Sequence, residues 1–359
     1  MKRSIFIMIA LCGVALWATA IEPIGHVVYL AGDPYAVRSA RPLWLGVGLG
    51  MPVHHMDFFH TAADELIEIE TSEASGVLAA IRVQPESVLY LAIAQFQPAQ
   101  EIRLLSGSVT VVMRDPRPEA VLSVVTERAT VDSAGAEYDV TVAADGSTLV
   151  TVRRGTARVT HRDGRRLFAD AERAIEARSD GVFRTAPVQA DRGDRFRAVW
   201  MGQVDARLRR DAGVVYRGVA ELYRDVVARF HESYRELLSR RDILDRWMET
   251  DRQARAPVSP VDADGADRDD SAAEREQIAV LLEAAAGDVR ELEALWYRIA
   301  NLARLSAAGV APDSLVAPRL TANEFFDERA AEARVLEDQM HTVRLVIRLL
   351  AQRAEIRTE

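Results

Sequence analysis

The first half of the chain alternates apolar and polar positions in short runs, which is typical of half-buried β-strands. The segment Glu65–Glu70 is the clearest example, and similar runs occupy 87–93, 108–113, 138–142, 148–153 and 156–160. Turn-forming residues separate the runs, as at Ser106-Gly107, Asp145-Gly146 and Asp163-Gly164. The pattern predicts an all-β region from 21 to 188, closed as a sandwich or wound like a solenoid.

Two stretches of this region resemble each other weakly. Both Glu101–Met113 and Thr148–Thr160 have the order strand, glycine, strand, with Gly107 and Gly155 at the centre. Glycine at such a position permits a tight reversal or a bulge. The two stretches are therefore either copies of one duplicated unit or two ordinary hairpins.

After about residue 189 the apolar period becomes that of α-helices. One stripe repeats every seven residues: Tyr216, Tyr223, Phe230, Leu237 and Leu244. A second steps by four and three: Ile278, Leu282, Ala285, Val289, Leu292, Trp296, Ile299 and Ala303. A third follows Thr321 and Glu324, which have capping-box spacing: Leu336, Met340, Val343, Ile347, Leu350 and Ala354. Each helix has one apolar face, so the helices must pair, as a coiled-coil hairpin or a three-helix bundle.

The predicted fold class is thus α+β with two segregated parts. We expect a signal segment at 1–20, the β region at 21–188 and a long helix or helix pair at 189–255. An acidic, proline-containing linker follows at 256–270, and a helical hairpin at 271–359.

The N-terminus has the three parts of a secretory signal. Lys2 and Arg3 precede the apolar run Ile5–Trp17, and Ala18-Thr19-Ala20 supplies small residues at cleavage spacing. We expect cleavage after Ala20; retention of the segment as an anchor is the alternative. The predicted location is the periplasm or outer cell envelope, with no membrane span once the signal is removed.

Charge and composition exclude several function classes. The net charge is −9, which argues against a nucleic-acid partner. The chain has one lysine, Lys2, and one cysteine, Cys12, both inside the signal segment. The processed protein would therefore lack Schiff-base lysines, thiol nucleophiles, thiolate zinc sites and disulfides. We expect a protein without enzymatic activity and without a cofactor.

One cluster has the chemistry of a metal site: His54, His55, Asp57 and His60. The spacing speaks against a shared ion, because neighbouring strand residues point to opposite faces. A polar strand edge is the other interpretation, and we expect no metal.

Six short motifs in the β region, in order, resemble those of the FecR-like domain family. Thr61-Ala62-Ala63-Asp64 is similar to the family's "T-x-A-D/S" start of a strand, after the glycine turn of 46–61. The segment Val83–Leu89 resembles "v-x-P-x-S-x-l", and Leu104–Val109 resembles "l-x-x-G-x-v".

The later motifs are more specific. The segment Val125–Val131 leads to Gly135–Val140, which is similar to the family's "GTEF-x-V" core, with Ala136 for threonine and Tyr138 for phenylalanine. The run from 145 to 159 resembles "dG-s-t-x-v-x-v-x-x-G-x-v". The resemblance covers about residues 25–177.

The resemblance implies a β-rich periplasmic module, whose best-known relatives relay signals to cytoplasmic sigma factors. Only four residues precede the apolar run here, so a direct anti-sigma role is not expected. We expect an envelope binding or scaffold protein whose partner is an envelope protein or a cell-wall glycan, and whose helices could also form a homo-oligomer. The alternatives are an accessory component of a trans-envelope signalling relay and, more remotely, a glycan-active enzyme.

Overall fold

The computed structural model describes residues 23–355, except 39–40, 94–99, 115–116, 118–119, 190–191 and 255–266. Within these ranges strands fill the first half of the chain and long helices fill the second. The predicted α+β architecture with two segregated parts is therefore confirmed. The predicted signal segment lies outside the described residues, and so does the predicted linker apart from 267–270, which are helical.

Two sheets form the β region, and the first is called sheet A. Its strands pair side by side in this order: β4 (Pro52–Val53), β1 (Gly25–Ala31), β6 (Leu66–Thr71), β7 (Ala79–Val83), the second half of β9 (Gln100–Met113), β12 (Glu137–Val142), β13 (Thr148–Arg154), β16 (Arg173–Ala177) and β17 (Phe183–Pro187). Each of these pairings is antiparallel.

Sheet B has the order β3 (Arg41–Gly46), β2 (Tyr35–Arg38), β5 (Phe58–His60), β8 (Val88–Ala92), the first half of β9, β10 (Leu122–Val125), β11 (Ala129–Ser133), β14 (Ala157–His161) and β15 (Arg166–Ala169). The pairing of β9 with β10 is parallel, and the other pairings in this sheet are antiparallel.

The sheets pack face to face as a sandwich. Alternate residues of each strand point inward, so Ile69 and Ile81 of sheet A join Leu89, Ile102 and Val124 of sheet B in one apolar core. From β10 onward the chain visits the sheets in pairs of strands: β10 and β11 in sheet B, β12 and β13 in sheet A, then β14 and β15 in sheet B, and β16 and β17 in sheet A. Of the two predicted closures, the sandwich is the one observed.

Gly107 and Gly155 mark points where the chain crosses from one sheet to the other. Both have a positive φ, 83° and 82°, which glycine adopts without strain. Strand β9 continues through Gly107 as one bent strand, although Ser106-Gly107 was predicted as a turn between two strands. Strand β13 pairs with β12 and β16, and β14 pairs with β11 and β15, so neither stretch is an ordinary hairpin.

Three of the motifs that resemble the FecR-like family meet in one hydrogen-bonded group. The hydroxyl of Thr61 donates to the carbonyl of Gln84 (2.6 Å) and accepts from the backbone N–H of Ser87 (3.0 Å). The Ser87 hydroxyl donates to the Ser108 carbonyl (3.0 Å) and accepts from the Ser108 N–H (2.8 Å). Gly107 lies against this group, so the three motifs share one site of contact in the sandwich.

The helical part contains α1 (Gly193–Arg210), α2 (Ala212–Leu238), α3 (Arg241–Ala254), α4 (Asp267–Ala307) and α5 (Ala322–Glu355), with a small hairpin of β18 (Leu315–Ala317) and β19 (Leu320–Thr321). The seven-residue stripe from Tyr216 to Leu244 runs over two helices, because α2 ends at Leu238 and α3 begins at Arg241. The Ser239 hydroxyl donates to the Glu236 carbonyl, a local bond that competes with helix continuation.

The apolar stripes of α2, α4 and α5 are buried against one another in a three-helix bundle. The buried members include Tyr223, Phe230, Ile278, Leu292, Leu336 and Val343. The predicted capping box at the start of α5 is present, because Glu324 accepts from the Thr321 N–H and the Thr321 hydroxyl accepts from the Glu324 N–H. Among the described residues, the helices all fall short of the length and apolarity needed to cross a bilayer.

The helices dock on both sheets. Trp200 of α1 packs with Leu149 and Ala174 on the outer face of sheet A, whose inner face holds Val150 and Ile175. Helix α4 covers the outer face of sheet B, and this contact forms the site described next.

Candidate functional site

The four residues of the candidate metal cluster, His54, His55, Asp57 and His60, have separate structural surroundings. His54 and Asp57 close the turn between β4 and β5: the Asp57 N–H donates to the His54 carbonyl, and the Asp57 carboxylate accepts from the His54 N–H at 2.9 Å. Asp57 is 1% exposed, so its carboxylate is occupied inside the turn. Within the turn Met56 adopts a positive φ of 66°.

The other two histidines point elsewhere. The Nδ1 of His55 donates to the Ile93 carbonyl at 3.0 Å, and burial lowers the pKa of His55. His60 lies on β5, where burial first and then the charge of Arg304 lower its pKa against the opposing effect of Glu65. Within the described ranges, no three histidine, cysteine or acidic side chains are grouped to hold a metal ion.

A cleft lies between the outer face of sheet B and helices α2 and α4. It encloses about 310 Å³. Its sheet side is formed by β8, β9, the end of β10 and the β14–β15 turn, with Tyr90, Arg103, Val125, Glu127 and Arg162 on the wall. Its helix side carries Leu222 of α2, and Arg290, Glu291 and Leu295 of α4. The cleft therefore exists only because the two parts of the chain are docked together.

Polar and aromatic contacts fix α4 on sheet B. Phe58 stacks on Tyr297 with ring centroids 5.7 Å apart, and the Asn301 amide donates to the Ser106 hydroxyl at 3.0 Å. The Arg298 guanidinium pairs with the Glu127 carboxylate at 3.2 Å. Directional contacts of this kind set the height and angle of the helix above the sheet.

The two acidic residues of the cleft lining, Glu127 and Glu291, are both paired with arginines outside it. Glu127 is paired with Arg298 and also with Arg128, at 3.0 Å. Glu291 is paired with Arg229 of α2. The Arg103 guanidinium is paired with Glu101 at 2.7 Å.

Arg162 and Arg290 differ from these groups. Among the described residues, neither side chain has a hydrogen bond or an ion pair. Both residues line the cleft. The uncompensated charge on its walls is therefore positive.

Tyr90 is the buried polar residue of the cleft. It is 3% exposed, and its hydroxyl has no hydrogen-bond partner in the described part of the chain. Burial raises the pKa of Tyr90 to about 12, against the opposing charges of Arg103, Arg290 and Arg344. The hydroxyl is thus a neutral donor that lies among three arginines.

Sequence reasoning missed this site, although α4 contained a signal for it. Beside the apolar stripe runs a second row with the same steps of four and three: Arg290, Ala294, Tyr297, Asn301 and Arg304. The row faces sheet B, as the contacts of Tyr297 and Asn301 show. A mixed row at helical spacing beside an apolar one indicates a second packing surface.

Comparison with known proteins adds little to this geometry. No family model matches the sequence, and no curated protein matches it. Two crystal structures of a protein from Parabacteroides distasonis ATCC 8503, described as a "putative anti-sigma factor", align with 38% of this chain at 18% identity and a TM-score of 0.32. The alignment spans 61% of that protein's chain, less than two thirds of its length. A TM-score this low carries no argument about this chain.

Proposed function

We propose that this chain is an exported, non-enzymatic binding protein of the cell envelope. A FecR-like β sandwich and a helical bundle together form its binding surface. The observation that carries the proposal is the cleft at their junction, whose walls come from both parts and whose uncompensated charge belongs to Arg162 and Arg290.

The contact among the family-like motifs supports the assignment of the sandwich to a FecR-like module. Thr61, Ser87 and Ser108 lie far apart in the sequence and belong to three motifs, yet they form one hydrogen-bonded group. The Thr61 and Ser87 hydroxyls each satisfy backbone groups of the next motif along the chain, which gives a physical reason for a hydroxyl at both positions.

The chemistry of the cleft favours binding over catalysis. A general acid or base works best with a pKa near the operating pH. The Tyr90 pKa is about 12, arginine stays protonated, and Glu127 is held by two arginines. These groups hold and orient a ligand rather than exchange protons with it.

Export is tested by fusing residues 1–40 and, separately, residues 21–40 to alkaline phosphatase, a reporter that is active only outside the cytosol. We expect activity with the first fusion alone, because the second lacks the predicted signal. Equal activity from both fusions, or none from the first, contradicts export.

Binding is tested with the full mature chain on purified cell-wall sacculi and by crosslinking in intact cells. The crosslinker must react with carboxylates, because the one lysine, Lys2, lies in the predicted signal segment and would be removed with it. We expect retention by the sacculi or one dominant crosslinked envelope protein, with no release of soluble glycan fragments. Release of such fragments identifies an enzyme instead, and the absence of any envelope partner contradicts the proposal.

A further inference from the structure

The charge around the cleft between sheet B and helix α4 is arranged for an acidic ligand. Arg162 lies in the β14–β15 turn and Arg290 on α4, so the sheet side and the helix side of the cleft each contribute an arginine. Neither guanidinium has an acidic partner among the described residues, whereas Arg103, Arg128 and Arg298 each have one.

Buried donors around the cleft indicate the same chemistry independently of charge. The Tyr90 hydroxyl and the Arg103 Nε are both buried and have no hydrogen-bond partner in the described chain. Most buried polar atoms in folded proteins are hydrogen-bonded, so an unpaired one requires an explanation. Both atoms are donors, and both belong to residues of the cleft wall. A ligand rich in acceptors would satisfy them.

The size and lining of the cleft restrict the ligand further. About 310 Å³ is at the lower end for small-molecule pockets, so the space fits a small molecule or one group of a larger one. Leu222 and Leu295 line the helix side, so part of the ligand meets apolar surface. Arginine forks match the planar geometry of carboxylates and the oxygens of phosphates.

We infer that the cleft binds a compact oxyanion, a carboxylate or phosphate group on a small organic frame, held between Arg162 and Arg290 and hydrogen-bonded by Tyr90. The inference rests on the proposed binding function and names the chemistry of its ligand. A carboxylated cell-wall sugar and a phosphorylated envelope component share this chemistry.

Isothermal titration calorimetry on the full mature chain tests the inference with three probes. N-acetylmuramic acid carries a carboxylate, N-acetylglucosamine is its counterpart without that group, and inorganic phosphate represents the other source. We expect binding of N-acetylmuramic acid or phosphate and none of N-acetylglucosamine. The tighter of the two anionic probes identifies the source.

Variants place the anion in the cleft. Arg290→Gln and Arg162→Gln should each weaken binding by about tenfold, because each removes a charge-assisted contact. Tyr90→Phe should weaken it by about fivefold with no change in charge. Arg195→Gln is the matched control: it removes the same charge from an exposed position on α1, which packs on the opposite sheet. Circular dichroism of each variant confirms that the fold is retained.

Several outcomes overturn the inference. Binding of neither anion, or equal weakening by Arg195→Gln and Arg290→Gln, shows that the cleft is not the site. If Tyr90→Phe binds the anion as tightly as the original protein does, the anion is not hydrogen-bonded by Tyr90 and its assigned position is wrong. If sacculi or an envelope partner still retain the protein in these cases, the proposed function survives and only the oxyanion assignment fails.

Discussion

The crossing at Gly107 allows a quantitative test of why the sandwich needs glycine there. Replacement by alanine adds one Cβ at a φ of 83°, a conformation that costs an L-residue about 1–2 kcal/mol. The new atom would also lie 2.5 Å from the Cα of Ser87 and closer still to the Glu86 carbonyl oxygen, so backbone must move. Ser87 then loses its two hydrogen bonds to Ser108, worth about 1 kcal/mol each.

The sum is a loss of about 3–4 kcal/mol in the free energy of unfolding for Gly107→Ala. Gly181, in the β16–β17 turn, is a matched control, because its φ is 84° and an added Cβ would meet nothing within 4 Å. Gly181→Ala should therefore lower the free energy of unfolding only by the cost of a positive φ in an L-residue, about 1–2 kcal/mol. The predicted difference between the variants is about 2 kcal/mol and belongs to the crowding at the sheet crossing.

Urea unfolding, followed by circular dichroism and tryptophan fluorescence, measures both losses. Equal midpoints for the two variants refute the reasoning, because the strain would then account for the whole effect and the contact with Ser87 for none of it. A changed dependence on urea concentration in one variant alone would show that its unfolded or native state differs, and midpoints would no longer be comparable.

Three further substitutions test other parts of the structure. Burial lowers the pKa of His55, so the unfolded chain binds a proton more readily and the free energy of unfolding falls as pH drops below 6.5. His55→Gln should make this fall smaller in urea titrations at several pH values. An unchanged dependence of the unfolding free energy on pH contradicts the prediction. Thr321→Ala should lower the free energy of unfolding by about 1 kcal/mol, seen as a lower urea midpoint, because the hydroxyl that caps α5 is lost. Thr321→Ser keeps a capping hydroxyl and should leave the midpoint unchanged. Glu127→Gln should lower the free energy of unfolding by about 2 kcal/mol, because Arg128 and Arg298 both lose their carboxylate partner. A double-mutant cycle with Arg298→Gln should give a coupling energy of about 1 kcal/mol. Additive losses would show that the ion pair between Glu127 and Arg298 does not hold α4 on sheet B.

Strands and helices were predictable because their signals are local. The alternation in Leu66–Thr71 matches the observed burial pattern, in which Ile67, Ile69 and Thr71 point inward. The steps of four and three from Ile278 to Ile299 likewise mark the face of α4 that enters the bundle. Both patterns depend on one strand or one helix meeting one core, and a sequence records that directly.

The crossings between sheets were not predictable in the same way. Ser106-Gly107 has the composition of a turn, and composition alone does not distinguish a reversal from a bend inside one strand. The difference lies in the partners: Ser106 pairs with Val88 in sheet B, and Gly107 pairs with Val142 in sheet A. Such pairing is long-range and leaves no mark in neighbouring residues.

The candidate metal cluster shows that adjacency in sequence does not by itself assemble a site. His54 and Asp57 build one turn, in which the Asp57 carboxylate accepts from the His54 N–H, and the His55 ring donates to the Ile93 carbonyl. The residues of the cleft, by contrast, come from positions as far apart as Tyr90 and Arg290. A binding site assembled across a junction has no compact motif, so it became visible only when helix and sheet were placed together.

Helix α4 connects these observations, because it carries two rows with the same period. The apolar row with Val289 and Leu292 is buried in the bundle, where packing depends mainly on the area removed from water and tolerates exchange among similar side chains. The mixed row with Tyr297 and Asn301 meets sheet B through a ring stack and a hydrogen bond, which depend on angle and distance. The apolar row stabilises the helix in the bundle, and the mixed row determines the position of Arg290 relative to sheet B. A change in the second row should therefore alter the cleft before it alters the fold.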